Sequence, residues 1–272
     1  MTSMTSNEPE RKTIHERLCD IGLRALVEQL DDVLALATKH RWSPTQLLEH
    51  VARLEHDARV RHSLESRLRR AKIGRFKPMV DFEWDWPSKI DRQAVEAALR
   101  LDFLAETNNV VLVAAQGLGK TMIAQNIAHA AVLAGHKARF VNTADLLLDL
   151  AIQDSARKLD QRLKYWASVP LLVLDELGYL SYDARNADLL FQVVSRRYER
   201  RSLVLTTNLA FKEWPSIFPN AACTTALIDR VIHHASVITI KGKSYRLREA
   251  MGDVEEEAAD AGGTKRGGRR RR

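Results

Sequence analysis

Apolar residues recur along this chain with two different periods. From Thr13 to His40, Ile14, Leu18, Ile21, Leu26, Leu30, Val33, Leu34 and Leu36 fall at helical spacing, and Gly22 predicts a break between two helices. Ser43-Pro44-Thr45-Gln46 predicts a helix start: a serine cap, proline in the first turn, and glutamine three residues on to close a capping box. The helix it opens carries Leu47, Leu48, Val51, Leu54, Val60, Leu64 and Leu68, and Pro78 is its expected end. Residues 79–91 read as an extended connector. Phe82, Trp84 and Trp86 alternate there with acids, which suits packing on a neighbouring domain better than stacking on bases. Arg92 to Phe103 is helical again, and Asn108-Asn109 predicts a turn.

Beyond that turn the pattern changes. Short aliphatic blocks at Val110–Ala114, Ala138–Val141, Leu171–Leu174, Leu203–Leu205 and Val237–Ile240 read as strands, the first, third and fourth of them buried. Between them lie amphipathic stretches. One has Ile123, Ile127, Ala130 and Ala131 on a single face, one runs over Asp145–Leu150 behind a cap at Asn142-Thr143, and one covers residues 153–168. Strands alternating with helices predict an α/β fold, a parallel sheet flanked by helices.

Candidate chemistry sits where these strands end. After the first, the chain turns through Gly117 and Gly119 to Lys120 and Thr121 and enters a helix. That context suits a phosphate-binding loop, with helix-start N–H groups and the helix dipole facing an anion. Lys120 would reach the β- and γ-phosphates of a nucleotide, and the Thr121 hydroxyl would ligate Mg²⁺. The first glycine of the usual G-x-x-x-x-G-K-[ST] pattern is replaced by Ala114, which is tolerable where φ is negative. Taken alone, GLGKT also reads as an ordinary glycine turn.

Asp175-Glu176 ends the third strand, where α/β sheets place their ligands. Asp175 would hold Mg²⁺ through water, and Glu176 would polarise the attacking water as a general base. The plainer reading is a solvated acidic turn. Asn208 ends the fourth strand, either orienting that water or shaping a turn. Arg230 is an ordinary helix cation or an arginine finger supplied to a neighbouring subunit.

Charge changes the picture of the front half. The chain carries +7, and its last twenty residues contribute +1 of that, with five acids and six bases. The excess therefore lies in the body and favours a polyanionic partner. Arg67, Arg69, Arg70, Lys72, Arg75 and Lys77 fall within eleven residues that contain no acid. They read as a phosphate-contacting surface for nucleic acid, or else as a solvated helix end whose cations suit the dipole. Cys19 and Cys223 have no metal-ligand spacing, which fits a reducing compartment. No apolar run approaches a membrane span and the N-terminus shows no basic-then-apolar leader pattern, so a cytoplasmic protein without membrane contact is expected.

In order, the phosphate loop, DELGYL (Asp175 to Leu180), FQVVSRRYERRS (Phe191 to Ser202), TTNLAF (Thr206 to Phe211), and ALIDRVIHHASVI followed by KSYRLRE resemble the IstB family. These are AAA+ ATPases that assist insertion-sequence transposases, related to helicase loaders of the DnaC type and initiators of the DnaA type. The resemblance covers roughly residues 13–250. It implies a P-loop NTPase (AAA+) sheet, a small helical N-terminal domain, no separate lid domain, and no second sensor arginine after residue 250.

The domains implied are 1–78 for DNA or partner binding, a linker at 79–100, an ATPase domain at 101–250 and a disordered charged tail at 251–272. Ala115, Gln116, Gly117, Leu118, Gly119, Lys120, Thr121 and Met122 would bind ATP; Thr121 and Asp175 would bind Mg²⁺. Glu176, Asn208 and Arg230 match the catalytic acid, the γ-phosphate sensor and the inter-subunit arginine. AAQGLGKT departs from the family's GPPGxGKT and is expected to narrow the loop and weaken nucleotide affinity without abolishing it.

The function implied is an ATP-dependent transposition regulator. It would form a homo-oligomer on duplex target DNA and deliver that DNA to a cognate transposase. Mg²⁺-dependent ATP hydrolysis, stimulated by DNA or transposase, would control assembly. The alternative is a helicase loader of the DnaC type, acting on a replicative helicase and single-stranded DNA. A small-molecule P-loop kinase would need an acceptor-binding lid with arginines, and a non-hydrolysing DNA-binding module would show no ATP turnover.

Overall fold

Five aliphatic segments build one parallel sheet in the order β2-β3-β4-β1-β5. They are β1 (Asn109–Ala114), β2 (Ala138–Asn142), β3 (Leu171–Leu177), β4 (Ser202–Thr207) and β5 (Ala235–Ile240). The structure, a computed structural model, describes residues 12–179, 181–246 and 248. The expected disorder from residue 251 and the final arginines lie outside the described residues.

The helices in chain order are α1 (Ile14–Asp20), α2 (Arg24–Glu28), α3 (Leu30–His40), α4 (Pro44–Ala71), α5 (Arg92–Arg100), α6 (Asp102–Ala105), α7 (Lys120–Leu133), α8 (Thr143–Ala151), α9 (Ala156–Ser168), α10 (Ala184–Arg197) and α11 (Ala221–Ile232). The chain divides into two compact units at Ser66/Arg67, inside α4.

In the first unit, helix ends follow local chemistry. Thr13 and Glu16 close a capping box on α1, and Ser43 and Gln46 close the one expected at the start of α4. Gly22, at φ +84°, breaks the helical run as expected, and a second break falls at Gln29. Buried Glu55 accepts the otherwise unpartnered N–H of Leu26 at the start of α2, at 2.9 Å.

In the second unit, α4 ends at Ala71, ahead of the expected stop at Pro78. Lys72 and Gly74 both adopt left-handed backbone, which a helix does not continue through. The connector is folded rather than extended. It contains a 3₁₀ turn at Met79–Asp81, and its aromatics pack on the phosphate loop and the 241–248 segment. The helix expected over Arg92–Phe103 is split at Leu101, whose φ is +69°.

The three central strands are buried on both faces, as their aliphatic composition requires, with Val110 to Leu112, Leu171 to Leu174 and Leu203 to Leu205 all nearly inaccessible, while the edge strands β2 and β5 are partly exposed. Arg197 on α10 reaches through this core. Its guanidinium donates to the carbonyls of Trp166, Val169 and Ser202, tying the end of α9 to the start of β4. Burial pushes its pKa down to about 9, so it remains a cation at neutral pH.

Candidate functional site

The parallel sheet puts the C-terminal ends of its strands side by side. Asn142 of β2 is in register with Asp175 of β3, Val113 of β1 with Thr207 of β4, and Ala114 of β1 with Ile240 of β5. The expected polar residues therefore meet along one edge.

Between β1 and α7 the loop turns through Gly117 at φ +74° and Gly119 at φ +83°, a conformation that favours glycine. Space constrains these positions as well. A Cβ on Gly119 would meet the Phe82 ring at 2.6 Å, and one on Gly117 would collide with the Ser244 hydroxyl. Gly119 caps α7, whose first-turn N–H groups have no acceptor within the helix. Lys120 Nζ donates to the carbonyls of Ala114 and Ala115, at 2.7 and 2.8 Å. Burial lowers the Lys120 pKa against the pull of Asp175, and nearby Arg246 lowers it further.

A bulge in β3 sets the two acids apart. The register with β4 shifts between Leu174 and Leu177, and Glu176 sits at φ +60°, a strained position for a side chain with a Cβ. Asp175 is consequently buried while Glu176 is exposed. Asp175 Oδ1 accepts from Thr206 Oγ1 at 2.5 Å and from Thr121 Oγ1 at 3.3 Å. Burial nevertheless raises its pKa, partly offset by those two donors. Glu176 is held by Asn142 Nδ2 at 2.6 Å, and its own N–H donates to Thr206 Oγ1.

A cleft of about 820 Å³ is lined by Gln116 through Met122, Glu176 and Asn208. A second, of about 540 Å³, is lined by Thr121, Asp175, Glu176 and Asn142. Ala115 contributes its carbonyl to Lys120. The larger volume suits a nucleotide-sized ligand. Positive-φ glycines, a lysine at a helix start and a hydroxyl beside a buried carboxylate fit a triphosphate and a hard divalent cation.

Arg230 lines neither cleft. Its guanidinium lies 4.5 Å over the Phe191 ring, with a buried Nη1 that has no hydrogen-bond partner. The basic run is dispersed. Arg75 and Lys77 line the larger cleft and Lys72 the smaller; Arg69 and Arg70 are exposed; Arg67 donates to the Val132 carbonyl.

Arg246, which lines both clefts, is a residue that sequence reasoning missed. It lies on a segment pinned to the phosphate loop by Tyr245 N–H to the Gly117 carbonyl, at 2.9 Å. Trp86 donates to the Lys243 carbonyl, and Glu83 accepts from Tyr245 and Arg248. Thr206 was also missed, although two fully buried threonines in an aliphatic strand were a legible signal.

Residues 16–252 match the family described as IstB-like ATP binding protein. A protein of insertion sequence IS232 from Bacillus thuringiensis subsp. berliner, named as ATP-binding, is 33% identical over 229 residues, 84% of this chain and 92% of its own. One named likewise from insertion sequence IS5376 of Geobacillus stearothermophilus is 30% identical over 247 residues, 91% of this chain and 98% of its own. The crystal structure of DnaI, 20% identical, shares the fold, with a TM-score of 0.52 over 62% of this chain and 93% of that one. The fold is that of a P-loop NTPase, a parallel sheet flanked by helices. Among the described residues no helix is long and apolar enough to cross a membrane.

Proposed function

The chain belongs to the IstB-like ATP-binding protein family, and from that premise we propose that it is a Mg²⁺-dependent ATPase that assembles on duplex target DNA and presents it to a transposase. The insertion-sequence setting of its relatives supports the transposase as partner. The observation that carries the ATPase reading is the meeting of Lys120, Thr121, Glu176 and Asn208 in one cleft, with Asp175 bonded to Thr121.

Lys120 turns from the carbonyls of Ala114 and Ala115 to the β- and γ-phosphates, where its charge is better used. Thr121 and Asp175 would hold Mg²⁺, which would supply neutralisation of phosphate charge. Thr206 keeps the Asp175 carboxylate oriented and favours its ionised form. Glu176 takes the proton of the attacking water, and Asn208 orients that water. Arg230, which lines neither cleft and packs on Phe191, leaves that ring on assembly to complete a neighbour's site. Two subunits then share the γ-phosphate, so ATP favours assembly and ADP does not. The exposed cations Arg69 and Arg70, with Arg67, Lys72, Arg75 and Lys77, supply phosphate contacts to DNA.

The test is ATP turnover with and without Mg²⁺, duplex DNA, single-stranded DNA and small-molecule phosphoryl acceptors. Mg²⁺-dependent turnover stimulated by duplex supports the reading. Absence of turnover, or stimulation by an acceptor metabolite instead, contradicts it.

A further inference from the structure

The segment that follows α4 belongs to no strand or helix between Lys72 and Pro78, yet it is firmly attached. It is sewn to α7 by side-chain amides. Gln125 Nε2 donates to the Ile73 carbonyl at 3.0 Å. Asn126 makes three bonds: its Nδ2 donates to the carbonyls of Lys77 at 2.9 Å and Met122 at 2.8 Å, and its Oδ1 accepts the Met79 N–H at 3.1 Å. One turn on, His129 packs against Phe76 at 5.1 Å between centroids.

Asn126 is 8% exposed, and a buried amide with both ends satisfied is costly to disturb. Its partners belong to two different places. Met122 lies in the first turn of α7, the turn whose N–H groups face the phosphate loop. Lys77 and Met79 lie at the end of the basic run, whose Arg75, Phe76 and Lys77 side chains wall the larger cleft. A single side chain thus joins the phosphate-binding turn to the backbone that carries the cations.

We propose that Asn126 is a positioning residue through which nucleotide binding and polyanion binding to the basic run are coupled within one subunit. This rests on the nucleotide and DNA reading given above. A triphosphate in the cleft fixes the first turn of α7 and the 72–79 wall. DNA on Arg69, Arg70 and Lys72 fixes the same backbone from its other end. Each ligand orders what the other requires, so each tightens the other, and by linkage the two factors are equal.

The test compares Arg230→Ala with the Arg230→Ala/Asn126→Ala double variant, so that coupling through assembly is removed from both. The dissociation constant of a fluorescent ATP analogue is measured with and without saturating duplex DNA, and that of the duplex with and without nucleotide. In Arg230→Ala, each ligand is expected to tighten the other by about fivefold or more, by the same factor in both directions. Adding Asn126→Ala should bring both factors to near one while changing neither affinity alone by more than roughly threefold. Asn126→Ser, whose hydroxyl can still donate to the Met122 carbonyl one turn back while losing the bonds to Lys77 and Met79, should also bring both factors to near one and covers poor folding of the alanine variant.

Full coupling in a folded Asn126 variant overturns the proposal, as does absence of coupling in Arg230→Ala when both ligands bind. Failure of wild-type protein to bind nucleotide or duplex overturns the underlying functional reading instead.

Discussion

The Asn142 side-chain amide nitrogen lies 2.6 Å from the Glu176 carboxylate, across two paired strands. The same residue's Oδ1 accepts the Ala144 N–H and caps α8. Glu176 is thus held toward β2 by a charge-assisted bond that fixes the direction of its carboxylate. Asn142→Ala should free the carboxylate and raise DNA-independent ATP turnover by roughly 2- to 10-fold, with about 1 kcal/mol lost from the α8 cap. Steady-state turnover and thermal unfolding measure the two effects separately. A fall in turnover with intact nucleotide binding would mean that Asn142 assists Glu176 rather than restraining it.

Asp175 gives a pH dependence with a definite sign. Its native pKa is raised, chiefly by burial, above the unfolded value of about 3.9. The folded protein therefore binds this proton more tightly than the unfolded chain does. In the absence of nucleotide and metal, stability falls as pH rises from about 4 through the raised value, and stays lower at neutral pH. Asp175→Asn should remove that slope and raise the stability of the ligand-free protein at pH 7. The same change should abolish the Mg²⁺ dependence of nucleotide binding. Melting curves from pH 4 to 8, with and without Mg·ATP, check both outcomes.

Arg246 lines the smaller cleft with Thr121, Asp175 and Glu176 and lies near enough to Lys120 to lower its pKa. Arg246→Ala should weaken ATP binding about tenfold, the scale of one lost hydrogen bond between charged groups, and ADP binding less. Arg246→Lys should recover part of the loss. Competitive titration with both nucleotides reads the ratio directly, and equal losses for ATP and ADP would move Arg246 away from the γ-phosphate.

The strands and the phosphate loop were legible because their signals are local. Four aliphatic residues in a row, or glycines before a lysine at a helix start, mean much the same in any context. Asp175 and Glu176 were legible as types, but not the bulge that buries one and exposes the other, which depends on pairing with β4. Asn142 read as a helix cap, which it is, while its hold on Glu176 depends on β2 lying beside β3. Arg246 gave no local sign, since it reaches the site through a segment folded back on the phosphate loop. Pro78 was a plausible helix end, but the left-handed turn at Lys72 comes first. That early exit is what frees the 72–79 backbone to lie along α7.

The basic run makes a prediction about salt. Neutralising Arg69 and Arg70, both exposed, should weaken duplex binding uniformly across sequences. It should also flatten the slope of log affinity against log salt by about 0.9 for each DNA phosphate that the variant no longer neutralises. Titrations at several salt concentrations supply that slope, and an unchanged value would place the DNA surface elsewhere.

Shared possession of a triphosphate by adjacent subunits is the central claim, and sedimentation of the protein on long duplex DNA tests it most directly. Wild-type protein should form large species with Mg·ATP, retain them with a slowly hydrolysed analogue, and disperse with Mg·ADP. Arg230→Ala should bind ATP yet remain monomeric, with turnover reduced by on the order of 10³–10⁵. Wild-type protein that stays monomeric on long DNA under saturating Mg·ATP, or an Arg230→Ala variant that assembles and hydrolyses normally, would contradict the account.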